Sequence, residues 1–104
     1  MNPTDHIQIV TFQLAGLDPG TYRAHCETAA RAFTEIPGLR AKAWLANPTT
    51  NTYGGVYAWE SRKAMEEYVS GPIFGALLAN EGVADVTTQD FAVLERATEI
   101  TRRR

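Results

Sequence analysis

Cysteine is nearly absent from this chain. Cys26 stands alone, so no disulfide can close within it, and a reducing, cytoplasmic setting is expected. Histidine is almost as scarce. His6 and His25 are far apart, neither has a cysteine or carboxylate at ligand spacing, and no metal site is expected. A basic surplus is missing too: ten Lys and Arg against twelve Asp and Glu leave a formal charge of -2, which argues against nucleic-acid binding. Arg102-Arg103-Arg104 is the one basic cluster and reads as a solvated chain end. No apolar run approaches the length of a membrane span, and the first residues have neither the charged nor the apolar region of a secretion signal. No glycine-rich phosphate loop is present, because Gly54-Gly55 falls inside a strand pattern.

What remains is an ordinary globular composition, 44% hydrophobic and 21% charged. At 104 residues the chain has the size of a single domain (1–104), in which one core must serve both folding and function. Ile7 to Leu14 alternates as a strand, with Val10, Phe12 and Leu14 on one face and Ile7, Ile9 and Thr11 on the other. Gly16 to Gly20 supplies turn residues. A helix is predicted from about Thr21 to Glu35 on the spacing of Tyr22, Cys26, Ala29 and Phe33, with Pro37-Gly38 as its stop. Leu39, Ala41, Ala43 and Leu45 alternate with Arg40, Lys42, Trp44 and Ala46 in a second strand, and Asn47 to Asn51 turns the chain into a third. In that third strand Tyr53, Gly55, Tyr57 and Trp59 form a bulky face, and Gly54, Val56 and Ala58 a small one.

Ser61 is the expected cap of a second helix through Ala64, Met65, Tyr68 and Val69, which Gly71-Pro72 ends. Ile73 to Ala79 follows as a short extra helix, Val83 to Leu94 as the last strand, and residues 95–104 as an extended or frayed tail. The order predicts an α+β domain of the ferredoxin-like βαββαβ type, an antiparallel sheet with its helices on one face. The other face would carry Ile7, Ile9, Ala41, Ala43, Leu45, Val56 and Ala58 bare, and a second copy of the chain is the simplest cover.

Large aromatic side chains crowd the strands and the helices that face them. Trp44, Tyr57 and Trp59 share the bulky face with Val10, Phe12 and Leu14, while Tyr22, His25, Phe33, Met65, Tyr68 and Phe74 approach from the helices. A chamber so lined suits a flat aromatic ligand, since ring packs well against ring. The plain alternative is that these rings fill the core. Cys26 reads as a buried structural thiol, and its neighbour His25 projects about 100° away around the helix.

The run Pro37-Gly38-Leu39, Lys42, Trp44 and Gly54-Gly55-Val56-Tyr57, followed by a helix with Ala64 and Tyr68, resembles the YdhR-type monooxygenases of the dimeric α/β-barrel superfamily. The resemblance implies a homodimer whose sheets pack into a barrel, a cavity between sheet and helices in each protomer, and oxygenation of a small aromatic or polyketide-like compound without flavin or metal. Such chemistry needs a base working near neutrality, and His25 is the best-placed candidate, His6 the weaker. Tyr57 is the candidate donor to a developing oxyanion, with the indoles of Trp44 and Trp59 beside it. Phe12, Tyr22, Lys42, Trp44, Trp59, Tyr68 and Phe74 are the expected substrate-binding residues, Lys42 as an ammonium at the mouth. A dimer that only sequesters a hydrophobic ligand or serves in stress, and an isomerase or cyclase, fit the same features.

Overall fold

A computed structural model describes Asn2 and residues 4–102. Four strands, β1 (His6–Leu14), β2 (Leu39–Asn47), β3 (Thr52–Trp59) and β4 (Val83–Ala92), form one antiparallel sheet in the order β2-β3-β1-β4. Four helices accompany them: α1 (Pro19–Phe33), α2 (Arg62–Val69), α3 (Pro72–Ala79) and α4 (Glu95–Thr101). The arrangement is the ferredoxin-like fold that the alternation patterns predict. No helix among the described residues is long and apolar enough to cross a membrane.

Strand parity places the core where expected. Val10, Phe12 and Leu14 of β1 and Tyr53, Tyr57 and Trp59 of β3 are buried against Ala64, Met65 and Tyr68 of α2 and Phe74 of α3. On the opposite face the register aligns Ala41, Ala58, Ile7 and Phe91 in one row across all four strands, and Ala43, Val56, Ile9 and Gln89 in the next.

Local chemistry moves several boundaries. Asp18 accepts a hydrogen bond from the Thr21 amide at 3.0 Å and Pro19 takes the first helical position, so α1 begins inside the stretch read as a turn. It also stops sooner, at Phe33, and turns fill the gap to Leu39. The cap at Ser61 forms as expected, its hydroxyl accepting from the Ala64 amide. Leu39 breaks the predicted alternation. The β2 register slips between Leu39 and Ala41, so Leu39 pairs with Trp59 and packs on the helix-side core, apart from Ala41 and Ala43. Residues expected as an extended tail instead form α4, whose start carries no side-chain cap to announce it because Leu94 occupies the cap position. Arg103 and Arg104 of the arginine tail lie outside the described residues.

One polar side chain lies at the centre of the sheet. Gln8, fully buried, accepts a hydrogen bond from the Trp59 indole N–H at 3.0 Å and donates one to the Thr88 hydroxyl at 2.9 Å. It thereby links β3, β1 and β4 beneath the helices. Replacing it with leucine keeps most of the volume but strands the indole donor, and a buried unpaired group costs about 1–3 kcal/mol. Gln8→Leu is therefore expected to lower unfolding free energy by about that amount in urea titration; an unchanged midpoint would show that the bridge contributes nothing.

Candidate active site

Helix α1 buries none of its residues, because it stands off the sheet. Its ends carry the large side chains and its middle the small ones. Near the first turn, Tyr22 meets Phe12 and Tyr53 edge-on, with ring centroids 5.9 and 5.2 Å apart, and at the last turn Phe33 meets Trp44 at 5.1 Å. Between these pillars lie Cys26 and Ala29. The gap they leave is a cavity of about 580 Å³, walled by α1, by β1 to β3, by Tyr68 of α2 and by Pro72, Ile73, Ala76 and Leu77 of α3.

Among the expected site residues, His25, Tyr57, Phe12, Tyr22, Lys42, Trp44 and Tyr68 all line this cavity. Trp59 and Phe74 do not. Trp59 is fully buried with its N–H committed to Gln8, so its indole is not free to serve an oxyanion, and Phe74 packs behind Tyr68 in the core. His6 is also remote from the cavity; its Nε2 sits 2.7 Å from an Asp90 carboxylate oxygen. Cys26, read as a buried structural thiol, is instead half-buried and lines the cavity, as His25 does. Leu17 and the α3 wall escaped the sequence reading altogether. Their apolar spacing signals burial but carries no sign of what they face.

Tyr57 is buried, its ring parallel to that of Trp59 and its hydroxyl 3.1 Å from that of Tyr68. Burial first, and then the neighbouring Tyr68, push its pKa well above the ordinary tyrosine value, so it stays protonated and can only give or share a proton in a hydrogen bond. Burial raises Tyr22 and Tyr68 in the same sense. His25 is exposed at the cavity edge, where solvent can exchange its proton.

Lys42 lies deeper than a residue at the mouth would. Its Nζ sits 3.3 Å from the Trp44 ring centroid, 3.8 Å from that of Phe33 and 4.7 Å from that of Tyr57. The stem crosses β3 at Gly55, where a Cβ would come within 2.7 Å of the lysine Cε. Beside it Gly54, at φ 149°, passes so close to β1 that a Cβ would collide with the Val10 carbonyl. The two glycines thus have separate jobs, one in strand contact and one in making room for the amine. Desolvation lowers the Lys42 pKa from 10.5 to about 7, a loss that the ring faces offset only in part and the Cys26 thiol slightly opposes.

This shift has a defined effect on stability. Below about pH 7 the amine is charged in both folded and unfolded chains, and the folded state bears the full desolvation cost; between about 7 and 10.5 only the unfolded chain holds the proton, so stability rises with pH. After discounting for the open side of the cavity, Lys42→Met is expected to be more stable than wild type by on the order of 1 kcal/mol at pH 6. The gap should close toward pH 10 in denaturant titrations, and a gap independent of pH would show that Lys42 is not desolvated.

Residues 7–104 match the family model described as "putative mono-oxygenase ydhR". Among solved structures, a protein of unknown function from Nitrosomonas europaea is similar over 90% of this chain and 93% of its own, with TM-score 0.74 and 16% identity. SnoaB from Streptomyces nogalater, a cofactor-independent oxygenase, is similar in a mutant form over 88% and 94%, with TM-score 0.68 and 17% identity. MhuD, a haem degrader from Mycobacterium tuberculosis seen with two haems in its active site, is similar over 86% and 95%, with TM-score 0.68 and 20% identity. No curated protein matches the chain.

Proposed function

From the premise that the chain belongs to the ydhR mono-oxygenase family, we propose that it oxygenates a small aromatic or polyketide-like compound in the cavity beneath α1, without a bound cofactor. The observation that carries the reading is the cavity itself, about 580 Å³ walled mainly by rings and aliphatic side chains, with a few polar groups at chosen points. Such a wall holds a flat ring by stacking and edge contacts and keeps water from it. The description of SnoaB as a cofactor-independent oxygenase on the same fold supports the cofactor-free form of the reaction.

The chemistry then belongs to the substrate. His25, at the solvent-exposed edge, takes a proton from a phenol or an activated methylene, and the resulting anion gives one electron to molecular oxygen. Recombination of the two radicals forms a carbon–oxygen bond and a peroxide. Loss of water from that peroxide turns the methylene into a carbonyl, so one oxygen atom enters the product and the other leaves as water. Tyr57, held protonated by burial, donates toward the oxyanion through the hydroxyl it shares with Tyr68.

Oxygen uptake with a panel of anthrones and quinols tests the reading. His25→Ala is expected to lower kcat about 10²-fold or more, and Tyr57→Phe about tenfold or more. Tight binding of the panel without any oxygen uptake would instead leave a ligand-sequestering protein, and proton exchange without oxygen an isomerase. His25 is also the one imidazole on the wall among the described residues, and an imidazole there could ligate haem iron. A Soret shift on haem titration that vanishes in His25→Ala would replace the cofactor-free reading with a haem-dependent one.

The same reading includes a homodimer. Support comes from the outer sheet face, where Ala41, Ala43 and Phe91 stand exposed and Ile9, Val56 and Ala58 half-buried around Ile7, which the single chain already buries against the expectation that it lies bare, and from Leu94 and Ile100, which stand exposed beyond β4. A second copy placed face to face would cover this surface. Light scattering is expected to give twice the mass of the chain, and a monomer at micromolar concentration would contradict it.

A further inference from the structure

Oxygenation through a substrate anion leaves the amine of Lys42 without a task. A surface lysine reaches for water, and a structural one for a carboxylate. Lys42 does neither: it enters none of the ion pairs that the described residues form, and its Nζ is surrounded by the faces of Phe33, Trp44 and Tyr57 on the cavity wall. The position requires Gly55, since any side chain there would displace the stem.

We propose that Lys42 is a nucleophile which captures an aromatic aldehyde or ketone in this cavity as an imine. An amine reacts through its free lone pair, and the apolar surroundings that disfavour the ammonium favour that form. The lone pair attacks the carbonyl carbon, the carbon–nitrogen bond forms, and the carbonyl oxygen takes a proton to give a carbinolamine. Loss of that hydroxyl as water, together with the remaining nitrogen proton, leaves the imine. His25 and the Tyr22 hydroxyl line the same cavity and can supply and receive these protons. The exclusion of water that suits an aromatic ring also slows hydrolysis of the product. Phe12, Tyr22 and Leu77 line the same cavity and offer apolar wall to an aryl group. No oxygen is consumed, so the capture stands or falls apart from the oxygenase reading.

The chain contains its own reference amine, because Lys63, its only other lysine, lies exposed on α2. Wild-type protein is incubated without oxygen at about pH 7.5 with 1-naphthaldehyde and sodium cyanoborohydride, which delivers hydride to the imine carbon and fixes the adduct as a secondary amine. Peptide mapping is expected to find Lys42 modified at least tenfold faster than Lys63. Equal rates, or modification at Lys63 alone, would overturn the proposal. Lys42→Arg, which keeps a cation but offers no nucleophilic amine at this pH, is expected to lose the fast adduct while keeping the slow one at Lys63. Persistence of the fast adduct in a folded Lys42→Arg protein would equally overturn it.

Discussion

The buried amide of Gln8 is the point on which the rest of the structure depends. A primary amide in the centre of a sheet face is tolerable only when its hydrogen bonds are made, and here its oxygen takes the Trp59 N–H while its nitrogen gives to Thr88. Trp59 is thereby fixed in the core. Tyr57 lies parallel to it, Tyr68 leans on both rings, and the two tyrosine hydroxyls share a hydrogen bond. No buried side-chain polar atom among the described residues lacks a partner. The floor of the cavity is therefore a rigid stack of rings, braced by polar contacts that have one good arrangement each.

On that floor the cavity is produced by the distribution of side-chain size. Aromatic pairs at the two ends of α1 hold the helix away from the sheet, and Cys26 and Ala29 between them are too small to fill the space. A void of this size sacrifices packing contacts that a filled core would have made. Lys42 adds to the cost, since its amine is desolvated with only ring faces as partners. Features that lower stability without serving the fold mark a site where function has set the sequence. The chemistry they support is limited in kind: protonated tyrosines that can donate, an imidazole open to solvent, and an amine poised near neutrality. Such groups can donate hydrogen bonds, exchange protons and, in the case of the amine, react with a carbonyl.

The fold by itself leaves that chemistry open, because the same sheet-and-helix frame carries quite different sites in different proteins. What shapes the site in this chain is the pair of glycines in β3. Gly54 allows β3 to lie against β1 where any side chain would strike the Val10 carbonyl, and Gly55 lets the Lys42 stem cross the sheet into the cavity. Their adjacency looks like one feature in the sequence, yet one makes room for the β1 backbone and the other for a β2 side chain.

The alternation of Val10, Phe12 and Leu14, the Tyr53, Tyr57 and Trp59 face, the Ser61 cap and the Pro37-Gly38 and Gly71-Pro72 stops determined the element order and the sheet face that meets the helices, while the family came from the resemblance carried by Pro37-Gly38-Leu39, Lys42, Trp44 and Gly54-Gly55-Val56-Tyr57. Those signals are local: a strand repeats every two residues, a helix every 3.6, and a cap or stop acts within one turn. Most of the wall was legible for the same reason, since side-chain parity told which rings face inward. Only the structure decided that Leu39 crosses to the core through a bulge, that residues 95–101 form a helix, that Trp59 and Phe74 are packing residues, and that the half-buried Lys42 sets its amine among rings. The bulge, the packing of Trp59 and Phe74 and the place of Lys42 depend on partners distant in sequence. Whether an inward ring fills a core or lines a cavity, and whether an amine meets water or an aromatic face, is fixed by the volume and polarity of what stands opposite. No periodicity in a single segment records that.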